Sequence, residues 1–407
     1  MFEIRPITAD DAELFRRRVS GGFGSDADTD EAASARFEAI FELDRTLAAF
    51  DGGDIIGTGA ALSLGLTVPG GAEVPMAGTT VVTVQPTHRR RGVLRSLMGR
   101  HLDDVAGRDE PLAGLWASES SIYRRFGYGP ATFRYASNVK ASAVELMGGR
   151  PGGAVRLIDP DQAESVVRPV YDQARTARSG MLTRSDAWWT HRLMADPESW
   201  RGGKSAQRHV AYEQDGSVTG YAVYRQKSKW DHFIADGEID IIEVIVTTGE
   251  AHSSLWAFLA NIDLFPNLEW WNMPIDDPLP MKMPDSRRVA RKLVDGLWVR
   301  VMDVQAALEA RSYDHDGVVT FALDDATRPQ SSGTYRLEVS NSVPHCERVP
   351  EDGDLTFDID VLGSLYLGGG DAMAMFSAGR ITGDYRAVQT LHRMLRTDVA
   401  PWCPEVF

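Results

Sequence analysis

Cysteine is scarce in this sequence: Cys346 and Cys403 are the two found among 407 residues. They lack the spacing of metal ligands, and so few in so long a chain are typical of a reducing cytosol rather than of disulfide-stabilised secreted domains. None of the nine histidines falls in a zinc-binding spacing. The sequence therefore predicts a cytoplasmic protein without a metal site.

Long hydrophobic runs and an excess of positive charge are also missing. No apolar run approaches the roughly 20 residues that span a bilayer. The N-terminus has no basic segment followed by an apolar core, so no signal peptide is expected. Lys and Arg number 43 against 58 Asp and Glu, a formal net charge of −15. Because nucleic-acid binding needs excess Lys and Arg, we predict neither a nucleic-acid nor a membrane partner. The acidic balance suits a cationic ligand, and it is also common in ordinary soluble enzymes.

The composition itself is that of a globular protein, with 43% hydrophobic and 25% charged residues. A chain of 407 residues is too long for one core, so two or three domains are expected. Predicted strands alternate with predicted helices, which indicates a layered α/β (α+β) fold. A stretch rich in Gly and Pro at residues 146–153 favours a boundary. We predict domains at residues 1–147, 148–288 and 289–407.

The most informative stretch lies at residues 79–98. The β-branched residues 79–84 predict a buried strand, Pro86 marks a turn, and a basic loop containing Gly92 leads into the apolar spacing of a helix. The first N–H groups of a helix have no intrahelical partner and carry the positive end of the helix dipole. Gly92 lets the backbone approach a ligand without an intervening Cβ. The sequence therefore predicts a phosphate or pyrophosphate site at this helix N-terminus.

This loop also carries a family resemblance. Its sequence, Arg89-Arg90-Arg91-Gly92-Val93-Leu94, resembles the acetyl-CoA loop R/Q-x-x-G-x-G/A of the GNAT acetyltransferases, with Leu94 in place of the last small residue. Residues 117–119 (Ala-Ser-Glu) and 122–132 (Ile-Tyr-Arg-Arg-Phe-Gly-Tyr-Gly-Pro-Ala-Thr) add a resemblance to one branch of that family, the Eis (enhanced intracellular survival) acetyltransferases. The resemblance spans almost the whole chain. It implies tandem GNAT-like domains followed by a sterol-carrier-like C-terminal domain.

The second GNAT-like domain differs from the first at the corresponding loop. Thr247-Thr248-Gly249-Glu250 stands there, and its acid would repel a pyrophosphate. We therefore expect acetyl-CoA to bind in the first domain alone, as the resemblance also implies.

The resemblance assigns roles to individual residues of the first domain. Tyr123, which matches the Eis motif position for position, is expected to be the general acid that protonates the CoA thiolate. The terminal carboxylate of Phe407 is expected to be the general base, directly or through a water, since an α-carboxyl with an ordinary pKa of about 3.5 is a weak base by itself. The residues expected to bind acetyl-CoA are Val82, Thr83, Val84, Arg89, Arg90, Arg91, Gly92, Val93, Leu94, Ser118 and Glu119.

The acceptor is less sharply defined. The resemblance implies N-acetylation of small multi-amine cations such as aminoglycosides, commonly by a homo-oligomer, a hexamer. The acidic cluster Asp26, Asp28, Asp30 and Glu31 is either a solvated loop or the rim of a polyamine pocket. Two alternatives stay open. One is a protein lysine or N-terminal acetyltransferase, and the other is a non-catalytic protein that senses CoA or binds lipid with the same fold.

Overall fold

The structure is a computed structural model that describes residues 2–26, 30–147 and 152–407. Its contacts divide the chain into two units. The first unit consists of Met1–Thr132, Ser179–Thr183 and Gly296–Phe407, and the second consists of Phe133–Arg178 and Arg184–Asp295. The N-terminal and C-terminal parts of the chain thus share one unit. The domain boundaries at 147 and 288 stay predictions, and the Gly-Pro connector at 148–151 lies outside the described residues.

The strands and helices are numbered along the chain. The strands are β1 Glu3–Pro6, β2 Thr46–Asp51, β3 Asp54–Thr67, β4 Glu73–Val84, β5 Leu112–Trp116, β6 Gly129–Pro130, β7 Phe133–Lys140, β8 Ala154–Ile158, β9 Arg208–Gln214, β10 Ser217–Lys227, β11 Trp230–Asp231, β12 Ile234–Ala235, β13 Glu238–Val246, β14 Asn267–Pro274, β15 Ala290–Asp295, β16 Leu297–Val301, β17 Gly317–Asp324, β18 Gly333–Ser340, β19 Val343–Val349, β20 Leu355–Asp358 and β21 Ile381–Gly383. The α-helices are α1 Ala12–Gly22, α2 Glu31–Ile40, α3 Val93–Ala106, α4 Ser120–Tyr123, α5 Ala163–Arg175, α6 Asp186–Trp188, α7 Gly249–Ala260, α8 Leu279–Lys282, α9 Val304–Ala310, α10 Ile359–Tyr366, α11 Ala372–Ser377 and α12 Tyr385–Leu395.

The first unit contains a seven-stranded sheet in the order β1-β2-β3-β4-β5-β16-β6. Strands β1 to β4 pair antiparallel, and the predicted hairpin joins β2 to β3. Strands β4 and β5 are parallel, so the chain must cross over between them, and helix α3 makes that crossover. The predicted order of strand, basic loop and helix is confirmed.

The same unit contains a five-stranded sheet in the order β19-β18-β17-β20-β21. Helix α10 is buried at every residue, as expected of a helix that is enclosed on all sides. It lies so close to β16 and β6 that glycine is required at the contacts: a Cβ on Gly363 would lie 2.1 Å from the Val299 carbonyl oxygen, and a Cβ on Gly129 would lie 1.9 Å from that of Asp360. This packing joins the C-terminal part of the chain to the first sheet.

The second unit repeats part of this arrangement. Its seven-stranded sheet has the order β15-β7-β14-β13-β10-β9-β8, and parallel β13 and β14 are connected through helix α7. At the start of α7 the Thr248 hydroxyl accepts a hydrogen bond from the Ala251 N–H (3.2 Å), and Glu250 lies in the first turn. The N-terminal end of α7 therefore has a side-chain cap and a carboxylate of its own.

Candidate active site

Strands β4 and β5 separate part-way along the first sheet. Residues 76–78 pair with residues 112–114, and among the described residues no pairing of these two strands continues past Gly78 and Gly114. The β3–β4 register shifts just beyond, at Val81, whose φ is +48°. A bulge bends and twists the strand that carries it. The end of β4 therefore presents an unpaired backbone edge to a ligand.

A cleft of about 1140 Å³ opens beside this edge. Apart from the exposed Arg91, every residue predicted to bind acetyl-CoA lines it, and so does Tyr123. Further lining residues, to which the sequence analysis gave no part in binding acetyl-CoA, are Gly22, Phe23, Pro86, His88, Arg95, Ile122, Arg125 and Phe126. The structure thus brings the predicted strand edge, basic loop and tyrosine to one cavity.

The basic loop has the geometry of an anion site. Gly92 is the residue before helix α3 and has a φ of +85°, in the left-handed region that favours glycine. The helix has no side-chain cap at this end, unlike α7. Arg89, Arg90 and Arg95, which flank Gly92 in the sequence, line the same cleft. Uncapped N–H groups and nearby guanidinium groups together suit a pyrophosphate.

Replacement of this glycine is expected to weaken cofactor binding. A left-handed backbone costs an L-residue about 1–2 kcal/mol, so we predict that Gly92→Ala raises the dissociation constant for acetyl-CoA roughly 5- to 30-fold. Gly99→Ala is the matched control, because Gly99 lies in the same helix and a Cβ there meets no atom within 4 Å. Calorimetric titration with CoA measures both. Equal affinities for the two variants would contradict the proposed loop geometry.

Tyr123 also lines the cleft, at the end of α4, and a 3-10 turn at Arg124–Phe126 follows it. Its side chain is 6% exposed, and its ring meets that of Tyr128 edge-on with the centroids 6.3 Å apart. Burial raises the pKa of Tyr123, and the negative charge of Glu119 raises it further. The phenol therefore stays protonated at neutral pH, as a proton donor must.

Behind Tyr123 lies a buried chain of three polar side chains. The Tyr128 hydroxyl is 2.9 Å from Thr79 Oγ1, which is 2.8 Å from His101 Nε2. Burial raises the pKa of Tyr128 to about 12, and burial together with the charge of Arg45 lowers the pKa of His101 to about 4. Thr79 follows the last β4 residue paired with β5. These hydrogen-bonded side chains therefore hold β4 against α3 at the point where the cleft opens.

The neutral His101 makes the stability of the protein dependent on pH. Unfolding raises its pKa from about 4 to its ordinary 6.5, so the unfolded state binds an extra proton between these values. Stability is then lost as pH falls from 6.5 toward 4, by about 1.4 kcal/mol per pH unit from this group. His101→Gln is expected to lose less melting temperature between pH 7 and pH 5 than the wild type. An unchanged loss would show that His101 does not titrate on unfolding.

The C-terminal residues are docked on the first unit. Trp402, Cys403 and Glu405 are buried, and the Trp402 N–H donates to the Ser179 carbonyl (2.9 Å). The Phe407 ring packs against the core of this unit and would lie 3.2 Å from a Cβ placed on Gly78. Phe407 is not among the described residues that line the cleft. Its role as base stays a prediction, although its ring lies beside the last β4 residue that is paired with β5.

Part of the predicted acidic cluster has a structural function. The Asp30 carboxylate accepts a hydrogen bond from the Ala33 N–H (2.6 Å) and caps helix α2. Asp28 lies outside the described residues. Within the described ranges, the structure shows no group of three or more His, Cys, Asp or Glu side chains able to hold a metal ion. In those ranges no helix combines the length and the apolar character of a bilayer span.

Comparison with known proteins decides the family. Residues 3–131 and 180–301 each match the acetyltransferase (GNAT) domain family, and residues 304–404 match the sterol carrier protein domain family. The N-acetyltransferase Eis of Mycobacterium bovis is 33% identical over 86% of this chain and 85% of its own. This chain belongs to the Eis family of GNAT N-acetyltransferases. The predicted tandem GNAT domains and C-terminal sterol-carrier-like domain are thereby confirmed.

Two further relatives agree with membership of the Eis family. An uncharacterized N-acetyltransferase of Streptomyces avermitilis is 37% identical over 100% of this chain and 99% of its own. The crystal structure of Eis1 from Mycobacterium abscessus superposes with a TM-score of 0.82 and 31% identity, covering 100% of both chains. The protein is an N-acetyltransferase, and its GNAT fold implies the use of acetyl-CoA. The open β4 edge and the uncapped α3 fit that co-substrate.

Proposed function

We propose that the first unit transfers the acetyl group of acetyl-CoA to amines of small multi-amine cations, aminoglycosides among them. One observation carries the proposal: a buried phenol with a raised pKa lines the same cleft as an uncapped helix N-terminus and an open strand edge. Those are the features that aminolysis of the acetyl-CoA thioester needs: a proton donor for sulfur, an open strand edge to bind the pantetheine arm, and a helix N-terminus to bind the pyrophosphate. The net charge of −15 suits a cationic acceptor.

Different residues of the cleft bind different parts of acetyl-CoA. The backbone of Val82, Thr83 and Val84 is available to pair with the pantetheine amides, because β5 leaves it open. The loop from Arg89 to Leu94 holds the pyrophosphate, and Ser118 and Glu119 line the same cleft. Both reactants are then held in one cleft, and proximity supplies much of the acceleration.

Proton transfers complete the step. As the acceptor nitrogen bonds to the acetyl carbon, the bond from that carbon to sulfur breaks. The Phe407 carboxylate takes the proton from the amine, directly or through a water, and Tyr123 gives one to the departing sulfur. The buried tail supports this role for Phe407, because its ring packs beside β4. Assembly as a hexamer is proposed on the family resemblance alone.

Acetyl-CoA incubated with a panel of amines and a thiol reagent tests this function. We expect thiol release with polyamines and aminoglycosides, and acetylated small molecules by mass spectrometry. Thiol release with peptides alone would favour the protein acetyltransferase. CoA binding without any thiol release would favour the sensor, and the proposed function would then be wrong.

A further inference from the structure

A buried arginine links the turn after Tyr123 to the C-terminal part of the chain. Arg300, on β16, donates from Nη1 to the Phe126 carbonyl oxygen (2.6 Å) and from Nη2 to Asp325 Oδ2 (2.5 Å). The Arg300 and Asp325 side chains are both 0% exposed. Phe126 lines the cleft and ends the 3-10 turn that follows Tyr123. One end of this ion pair thus fixes the backbone of the cleft wall.

The other oxygen of Asp325 orders the loop that follows it. Its Oδ1 accepts hydrogen bonds from the Thr327 N–H (3.1 Å) and the Arg328 N–H (3.0 Å). An aspartate that accepts from the next backbone N–H groups folds them into a tight turn. Because Arg300 holds the same carboxylate, residues 325–328 have one defined conformation. We call these four residues the 325–328 loop.

The 325–328 loop contacts both the cleft-lining turn after Tyr123 and helix α3, whose first turn lines the cleft. Thr327 Oγ1 donates to the Arg125 carbonyl oxygen (3.0 Å), next to the Phe126 carbonyl that Arg300 holds. Arg328 Nη1 donates to the Leu102 carbonyl oxygen (3.0 Å) and to Asp103 Oδ1 (2.8 Å), both on helix α3. A helix is stiff, so holding its later turns also fixes the direction of its N-terminal N–H groups.

We propose that the 325–328 loop sets the distance between Tyr123 and the N-terminus of α3, where the pyrophosphate binds. The C-terminal part of the chain then contributes more than its terminal carboxylate: Thr327 and Arg328 are positioning residues for the cleft. Their catalytic effect rests on the proposed function, since it requires that Tyr123 and α3 act on one substrate. Small misplacements matter because a 1 Å error in such a geometry can lower a rate by about 10²-fold.

The double variant Thr327→Val with Arg328→Met tests the proposal. It removes the hydroxyl and the guanidinium group and keeps similar side-chain volume. We expect kcat to fall by at least about 10-fold and the dissociation constant for CoA to change less than about threefold. The pyrophosphate site at the N-terminus of α3 remains in this variant, but its distance from Tyr123 changes. Thr327→Ser keeps the donor and is expected to keep wild-type kcat. Arg336→Met is the control, because it removes a partly exposed ion pair with Glu338 elsewhere in the C-terminal sheet.

Hydrogen exchange by mass spectrometry separates this inference from the proposed function. In the double variant, peptides covering residues 120–127 are expected to exchange faster than in the wild type, whether or not an acceptor has been found. Wild-type protection of that segment, or wild-type kcat in the double variant, would overturn the proposal. An equal loss of kcat in Thr327→Ser would also overturn it. A wild-type enzyme that releases no thiol with any amine would instead refute the proposed function, leaving the exchange result to decide the loop's role.

Discussion

Tyr123→Phe is expected to lower kcat by about 10²- to 10⁴-fold, the contribution typical of a general acid. The dissociation constant for CoA should stay the same, because the ring keeps its edge-on contact with Tyr128 and the cleft keeps its shape. Burial raises the pKa of the phenol, so the wild type should show no loss of activity from Tyr123 deprotonation at neutral or mildly alkaline pH. Steady-state kinetics with saturating acceptor measures kcat, and calorimetry measures CoA affinity.

Tyr335→Phe is the matched control for this variant. Tyr335 is also buried in the first unit, burial raises its pKa as well, and its hydroxyl donates to the Ser331 carbonyl (2.9 Å). It does not line the cleft among the described residues. Loss of the Tyr335 hydroxyl should reduce the free energy of unfolding by about 1 kcal/mol and leave kcat unchanged. If Tyr123→Phe behaved in the same way, Tyr123 would have no part in the chemistry.

Extension of the chain by a single glycine after Phe407 is expected to lower kcat by about 10²-fold. The added residue displaces the terminal carboxylate by up to about 3.5 Å. An amine in its normal binding position would then lie beyond hydrogen-bond reach of that carboxylate. The buried residues before it, Trp402 and Cys403, should hold the rest of the tail in place, so the melting temperature should change little. Activity and thermal unfolding of the purified variant measure the two quantities.

Three further variants show whether the loss of kcat is due to the displaced terminal carboxylate. A glycine added before Met1 is the control for an altered terminus. Glu405→Gln and Glu119→Gln test the other carboxylates, of which Glu405 is buried in the tail and Glu119 lines the cleft. Normal kcat in the extended protein, together with a large loss in Glu119→Gln, would transfer the role of base to Glu119.

The sequence was sufficient where the chemistry is local. The run of β-branched residues before Pro86, the basic loop and Gly92 follow one another directly, so a pattern read along the chain predicts strand β4, the turn and helix α3. The family motif then supplied Tyr123. The left-handed φ of Gly92 agrees with the reason given for a glycine at that position.

The sequence was insufficient where residues distant along the chain meet. The end of helix α1 reaches the cleft because a Cβ-free Gly22 fits against Thr83, where a Cβ would lie 2.6 Å from the methyl group. The Arg300–Asp325 pair joins two strand ends that no periodicity connects. The bulge at Val81 carries no glycine to mark it. Such features depend on tertiary packing, which local propensity does not encode.

A crystal structure with bound CoA tests the central claim most directly, since the claim is that one cleft holds both the pyrophosphate and the reacting sulfur. We predict the pyrophosphate on the N–H groups that follow Gly92 and the sulfur within hydrogen-bond reach of the Tyr123 hydroxyl. A sulfur directed away from Tyr123, or CoA bound at helix α7 of the second unit, would contradict the account.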